Sequence, residues 1–347
     1  MLLVFGIALM IWALGRLMRW PGGVIWAVIG VLWLAVMAIH LTLPQGHALR
    51  AATGESPVLW GIVGFFAGFI LGYGRLLTWI RARAVAPEVV GGAAPGAFSE
   101  AELGRYARHI VLRELGGPGQ KKLKRARVLV VGAGGLGSPA LMYLAAAGVG
   151  TVGVIDDDVV DSSNLQRQVI HSDQKIGMPK VQSAMQAMLA LNPFVEVRPY
   201  RRRLTEEIAG DLLAGYDVVL DGTDNPETRY LVNRAAVAAG KPLVSGAISQ
   251  WEGQISVFDP GAGAPCYQCV FPEAPAAGLA PSCAEAGVVG PLPGVIGAMM
   301  ALETIKLIAG AGHVLRGEML IYDGLYGETR KISVARRADC PVCGGAV

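Results

Sequence analysis

Charge is what this 347-residue sequence has little of: 16% of its residues are Asp, Glu, Lys or Arg, 53% are hydrophobic, and the formal net charge is +3. Soluble domains have about a quarter of their residues charged, so the chain as a whole is not an ordinary soluble protein. The shortage is concentrated at one end. Residues 1–83 hold no lysine, no aspartate and one glutamate against six arginines, a balance of +5. The other 264 residues carry 24 basic and 26 acidic side chains, or −2. The net positive charge therefore belongs to the apolar end, which argues against reading the basic isoelectric point as a nucleic-acid surface on the folded domain. The apolar content excludes disorder for the bulk of the chain. No basic residue precedes the first apolar run, which argues against a cleaved signal peptide.

Where charge is missing, apolar runs take its place: residues 1–15, 24–43 and 58–80, the last interrupted only by Arg75. About 20 apolar residues cross a bilayer as a helix. The second and third runs reach that length, and the first does so to Trp20 if Arg16 and Arg19 snorkel to the headgroups. The pattern predicts a membrane anchor over 1–83 with three transmembrane helices at about 2–20, 24–43 and 58–80. Six of the seven tryptophans lie here, several near run ends, as an interfacial belt requires. Arg16 and Arg19 separate the first two spans, and Arg75, Arg81 and Arg83 mark the end of the third. The intervening loop has only Arg50, offset by Glu55. The basic sides are cytoplasmic, which predicts a multi-pass protein of the inner membrane with its large C-terminal domain in the cytoplasm. Gly64, Gly68 and Gly72 share one helix face that would admit a close helix neighbour. Residues 84–98, rich in Pro, Gly and Ala, read as a flexible linker.

From 99 to 347 the pattern is that of a folded domain. Ser99 and Glu102 have capping-box spacing for a helix to about Leu115, with the Gly-Gly-Pro-Gly at 116–119 as its stop. Apolar strands are expected at 127–131, 152–155, 195–199, 217–220 and 243–247. Helices are expected between them, including an amphipathic one after Lys180. Strand alternating with helix predicts an α/β fold with a doubly wound, mainly parallel, Rossmann-like sheet. Beyond 248 come strand-like alternation at 254–258, a Pro- and Gly-rich stretch to 294, a helix to about 309, and strands near 319–323 and 330–334.

Gly132, Gly134, Gly135 and Gly137 follow the first strand and open a helix, and Asp156 ends the next strand 19 residues after Gly137. Small residues permit a tight turn, a helix N-terminus offers N–H groups to phosphate, and a strand-end carboxylate reaches ribose hydroxyls. This signature fits NAD as well as ATP. Downstream, Arg167 and Lys180 are available as counterions for a polyphosphate, and Asp224 as a magnesium ligand. Together they favour ATP over an NAD-dependent oxidoreductase or a nucleotide-binding scaffold without turnover. Cys266 and Cys269, with Cys340 and Cys343, form two C-x-x-C pairs, a tetrahedral set for zinc. Cys340 lies 71 positions after Cys269, so folding must bring the pairs together. Four ligands leave no open position, making this a structural rather than catalytic metal, and a cytoplasmic domain disfavours disulfides. Cys283 is left over.

In order along the chain, the stretches RYARHIVL (105–112), the glycine loop, SNLQRQ (163–168), GMPK (177–180), GTDN (222–225), CYQC (266–269), SCAEAGV (282–288) and CPVC (340–343) resemble the ubiquitin-activating-enzyme-like adenylyltransferases, the MoeB, ThiF and HesA family. The resemblance runs from about Glu100 to the C-terminus and is closest to the molybdopterin-synthase adenylyltransferases. It implies that Gly135, Asp156, Ser163, Asn164, Leu165, Gln166, Arg167, Lys180, Asp224 and Asn225 bind ATP. It implies a homodimer in which Arg108 reaches the partner's nucleotide. The implied reaction adenylates the C-terminal Gly-Gly carboxylate of a ubiquitin-like sulfur carrier and releases pyrophosphate. That would serve molybdopterin cofactor synthesis, or thiamine synthesis as the alternative. At Cys283 some members form a thioester or persulfide with the carrier. Two departures are evident: a membrane segment is not usual in the family, and no fused rhodanese domain follows the second cysteine pair, so a separate sulfur donor is expected.

Overall fold

The computed structural model describes residues 1–18, 20–54, 56–84, 97–274 and 286–344. The chain divides into two units, residues 1–90 and 91–347, each with its own core.

The first unit is helical: α1 (Leu2–Leu17), α2 (Gly22–Thr42), the short α3 (Ala48–Thr53) and α4 (Pro57–Ala84). Val4, Val36 and Trp60 are buried between them, and the Trp33 Nε1–H donates to Trp60 O at 2.9 Å. A Cβ on Gly64 would fall 2.2 Å from Trp33 Cζ2, whereas Gly68 and Gly72 meet nothing within 4 Å. Of the three stacked glycines, only Gly64 is used to bring α2 and α4 together. Large apolar side chains such as Phe65, Phe69 and Ile70 point outward, the reverse of a water-soluble helix bundle. α2 and the first 21 residues of α4 are long and apolar enough to cross a membrane; α1, at 16 residues, is shorter than the expected first span.

The second unit opens with α5 (Glu100–Ile110). Both halves of its capping box form: Ser99 N–H donates to Glu102 Oε2 at 2.9 Å, and Glu102 N–H to Ser99 Oγ at 3.2 Å. The helix stops at Ile110, short of Leu115, and the Gly-Gly-Pro-Gly expected to terminate it instead starts α6 (Gly116–Arg125). Pro118 lies in the first turn, where a missing N–H costs nothing. Gly116, at φ +58°, turns the corner, and fully buried Gln120 and Leu123 anchor the new helix.

Eight strands form one sheet: β1 (Arg127–Val131), β2 (Thr151–Ile155), β3 (Glu196–Tyr200), β4 (Val218–Asp221), β5 (Leu243–Ile248), β6 (Glu252–Phe258), β7 (Glu318–Asp323) and β8 (Glu328–Ser333). Their order is β3-β2-β1-β4-β5-β6-β7-β8; the first five are parallel and the last three antiparallel. The helices are α7 (Gly137–Ala147), α8 (Lys180–Leu191), α9 (Glu206–Ala214), α10 (Pro226–Ala238), the single-turn α11 (Tyr267–Val270) and α12 (Pro291–Ala309). β1 shows why the sheet must be covered on both sides. Val128 and Val130 join one core with Leu141, Leu144, Met188 and Ile296, while Leu129 and Val131 join another with Leu213, Tyr216 and Val232. α12 is also apolar and long enough to span a bilayer, but Leu292, Ile296, Met300 and Ala301 are buried in the first of these cores. Strand order reverses between β1 and β4, so a crevice opens at their carboxyl ends.

Candidate nucleotide site and cysteine cluster

A cleft of about 480 Å³ occupies that crevice. Its wall brings together Gly132, Gly134 and Gly135 after β1, Asp156 after β2, Arg167, Lys180 at the head of α8, and Asp224 and Asn225 after β4. Gly132 has φ +93°, a conformation that favours glycine. Gly137 lies behind the cleft: a Cβ there would fall 2.0 Å from Gly132 O, so the turn closes only with glycine at this position.

Asp156 uses one oxygen on each side. Oδ2 accepts from Ala133 N–H and Oδ1 from Asp158 N–H, both at 2.8 Å, so the carboxylate braces the glycine loop as well as facing the cleft. Burial pushes its carboxyl above the usual carboxylate range, against the pull of Lys180 and the two N–H groups. Lys180 is itself buried, and its ammonium lies 2.7 Å from Asp158 Oδ2.

Ser163, Asn164, Leu165 and Gln166 are not on the cleft wall, and Asn164 supports it from behind. Ser163 donates through its N–H and hydroxyl to Asp161 Oδ1, at 2.8 and 2.6 Å. Asn164 Oδ1 accepts from Arg167 Nη2 at 3.1 Å and Gln168 Nε2 at 3.2 Å, aligning both side chains. Gln166 packs on Gly290, where a Cβ would fall 2.6 Å from Gln166 O. Asn225 caps α10, its Oδ1 accepting from Thr228 N–H at 2.9 Å, and Asp224 beside it is exposed. Arg108 is exposed on α5 and is not on the wall of this chain's own cleft. Cys283 lies outside the described residues.

Several contributors carry no sequence motif. Asp221 at the end of β4 is fully buried and accepts from Thr223 N–H at 3.0 Å, Thr223 Oγ1 at 2.6 Å and Ser245 Oγ at 3.2 Å. Arg229 of α10 pairs with it at 3.4 Å and also donates to Thr223 O, fixing the loop that presents Asp224. Arg202 and Arg203, after β3, reach the wall on the Asp156 side. Buried His171 contacts Ala133 O and Ser183 Oγ. Only spatial contact singles these residues out.

The four cysteines of the two pairs meet. All are buried, and their sulfurs lie within 4.8 Å of one another: Cys266 to Cys269 at 3.9 Å, Cys266 to Cys340 at 3.6 Å and Cys269 to Cys343 at 3.4 Å. A disulfide needs about 2.05 Å, and a tetrahedron with Zn–S bonds of about 2.3 Å has edges of about 3.8 Å, so the set fits a four-thiolate metal and not a disulfide. Asn233 Nδ2 approaches Cys266 Sγ at 3.7 Å and Arg337 N–H approaches Cys269 Sγ at 3.4 Å, donors of the kind that favour thiolates. Burial opposes ionisation of Cys340, but the N–H groups of Cys343 and Val342 together with the Cys266 and Cys269 thiols outweigh it and bring the thiol to about 7, whereas burial pushes the Cys266 and Cys343 thiols up.

The ThiF family model matches residues 106–342, from the first helix of the domain to the last cysteine pair. The chain belongs to the ThiF family. It is 52% identical over 251 residues to the sulfur carrier protein adenylyltransferase of Thermus thermophilus, covering 71% of this chain and 93% of that protein. To the probable adenylyltransferase/sulfurtransferase MoeZ of Mycobacterium tuberculosis it is 51% identical over 248 residues, covering 71% of this chain but 63% of MoeZ. The crystal structure of E. coli MccB with ATP superposes with a TM-score of 0.61 over 70% of this chain and 75% of MccB; at 23% identity this establishes the shared fold. As an enzyme the chain is an adenylyltransferase of this family.

Proposed function

We propose that this enzyme uses ATP to adenylate the C-terminal Gly-Gly carboxylate of a ubiquitin-like sulfur-carrier protein, for molybdopterin cofactor synthesis. The observation that carries the reading is the gathering, in one cleft, of a glycine loop, Arg167, Lys180 and Asp224. A carboxylate oxygen of the carrier attacks the α-phosphorus of ATP. The bond from that phosphorus to the bridging oxygen breaks, pyrophosphate leaves with the electron pair, and an acyl-adenylate remains. No covalent nucleophile from the enzyme is needed; what the step requires is alignment of two anions and cancellation of their charge. Lys180 and Arg167 supply fixed positive charge from within the chain. Asp224 would hold magnesium, which when bound neutralises phosphate oxygens. Asp156 accepts from the ribose, and Arg108, exposed on α5, serves the cleft of a second copy in a homodimer. The four thiols hold structural zinc, and the N-terminal helices fix the enzyme to the inner membrane with this domain in the cytoplasm.

ATP–pyrophosphate exchange tests the proposal. Exchange is expected only with a carrier ending in Gly-Gly, and Lys180→Ala and Asp224→Ala should each lower it by about a hundredfold or more. Near-normal exchange in both variants sinks the assignment, and stimulation by a thiamine-type carrier alone redirects it to that pathway.

A further inference from the structure

We propose that His171 is a positioning residue: it sets the plane of the Ala133–Gly134 peptide and so aims the Gly134 N–H at the phosphates of the nucleotide. This rests on the nucleotide reading of the cleft and adds to it a residue that does not line the cleft.

His171 is 7% exposed, and its two nitrogens have different partners. Nε2 lies 3.0 Å from the carbonyl oxygen of Ala133, which only accepts, so Nε2 carries the hydrogen. Nδ1 therefore accepts from the Ser183 hydroxyl at 2.9 Å. Ser183 sits on α8 three residues after Lys180, so one imidazole ties the glycine loop to the helix that presents the lysine. Burial first, with Lys180 and Lys175 adding to it, outweighs the Ala133 bond and holds the imidazole below its ordinary value, which keeps the ring neutral near pH 7.

The consequence for the loop follows from peptide geometry. In a planar trans peptide the C=O and N–H point in opposite directions. With Ala133 O drawn to His171, the Gly134 N–H points the other way. Among the described residues no protein acceptor meets the N–H of Gly134 or of Gly135, and both residues line the cleft. The preceding N–H, that of Ala133, is already taken by Asp156 Oδ2. Glycine at 134 also removes the steric bias that would fix this plane in another residue, so the loop needs an outside bolt. A flip of the unbolted peptide would put a carbonyl oxygen where a phosphate oxygen must sit, replacing a donor by a repulsive acceptor.

The test is titration of the full chain in detergent with ATP, AMP and adenosine. Loss of one charge-assisted bond is worth about tenfold in affinity or more. His171→Ala should therefore weaken ATP and AMP by at least about tenfold and leave adenosine within about twofold; His171→Gln, which keeps an N–H donor on that side, should recover most of the ATP affinity. Unchanged ATP binding, or equal losses for ATP and adenosine, overturns the proposal. If His171→Ala does not fold, Ser183→Ala decides. Without the hydroxyl the ring loses the second of the two contacts that hold its orientation, so ATP should weaken while adenosine does not, and an unaltered ATP affinity refutes the role. Wild-type protein that fails to bind ATP at all defeats the nucleotide reading itself, which is a separate result.

Discussion

Buried charge in the enzyme domain is answered locally, and Glu102 shows how. Its carboxylate accepts from the Lys124 ammonium at 2.7 and 2.8 Å and from Ser99 N–H. Burial alone would raise the carboxyl, but Lys124 and Ser99 outweigh it and hold it below the usual value. Lys124→Met should therefore cost about 2 kcal/mol in urea unfolding at pH 7, because the buried carboxylate loses its charged donor. The folded-state pKa is lowered, so the contribution of Glu102 is complete above about pH 4.3 and is lost as pH falls through the lower folded value. The variant's deficit should shrink over the same interval; a deficit that stays constant with pH would refute the ionic origin. At this scale the sequence was legible where chemistry comes in contiguous motifs. The glycine loop, Asp156, Arg167, Lys180, Asp224 and both cysteine pairs converge as their spacing suggests. His171, Arg229 and Asn233 were not legible, because a lone histidine, arginine or asparagine acquires its meaning from a partner that only folding supplies. Asn233, for example, accepts from Tyr267 N–H at 2.9 Å while approaching Cys266, joining α10 to the cysteine cluster.

Elements followed their local signals where hydrophobic period and caps agreed. The capping box at Ser99 and the strand ends near Asp156 and Asp221 could be placed from residue pattern alone. The Gly-Gly-Pro-Gly stretch could not, since glycine and proline mark a boundary without saying whether it ends one helix or begins another. Tertiary burial of Gln120 and Leu123 made that choice. Close backbone approach makes the glycines of the loop unequal, which yields a contrast. In Gly137→Ala the new methyl meets backbone at 2.0 Å, so the turn must open; in Gly134→Ala the nearest atom is Gln168 Nε2 at 3.7 Å, ordinary contact. The first should lower the melting temperature and weaken ATP by about tenfold or more, and the second should leave the melting temperature unchanged. Differential scanning calorimetry with ATP titration separates them, and equal losses of stability would disprove the steric ranking.

Over the whole molecule, composition separates the chain at the boundary between its two units, yet composition alone mistakes α12 for a third long apolar helix of the same kind as α2 and α4. What distinguishes α12 is that its apolar face is covered by the sheet and α7, while α2 and α4 keep theirs outward. The parallel half of the sheet was legible from alternation; the antiparallel order of β6, β7 and β8 was not, because regular strand–helix alternation ends after β5. If α2 and α4 are anchors, the full chain should stay with membranes through an alkaline carbonate wash, and a reporter fused after residue 347 should be active in the cytoplasm. Release by the wash, or activity only on the far side, would disprove the anchor or its orientation.

The cysteine cluster has a bearing on how the molecule is made. Its partners stand 74 positions apart in the chain, Cys266 with Cys340 and Cys269 with Cys343. On a ribosome the first pair emerges long before the second, and two thiols cannot provide a four-thiol grip. The four-thiol set is complete only after α12, β7 and β8 have been synthesised, so a chain that stops before Cys343 cannot assemble it.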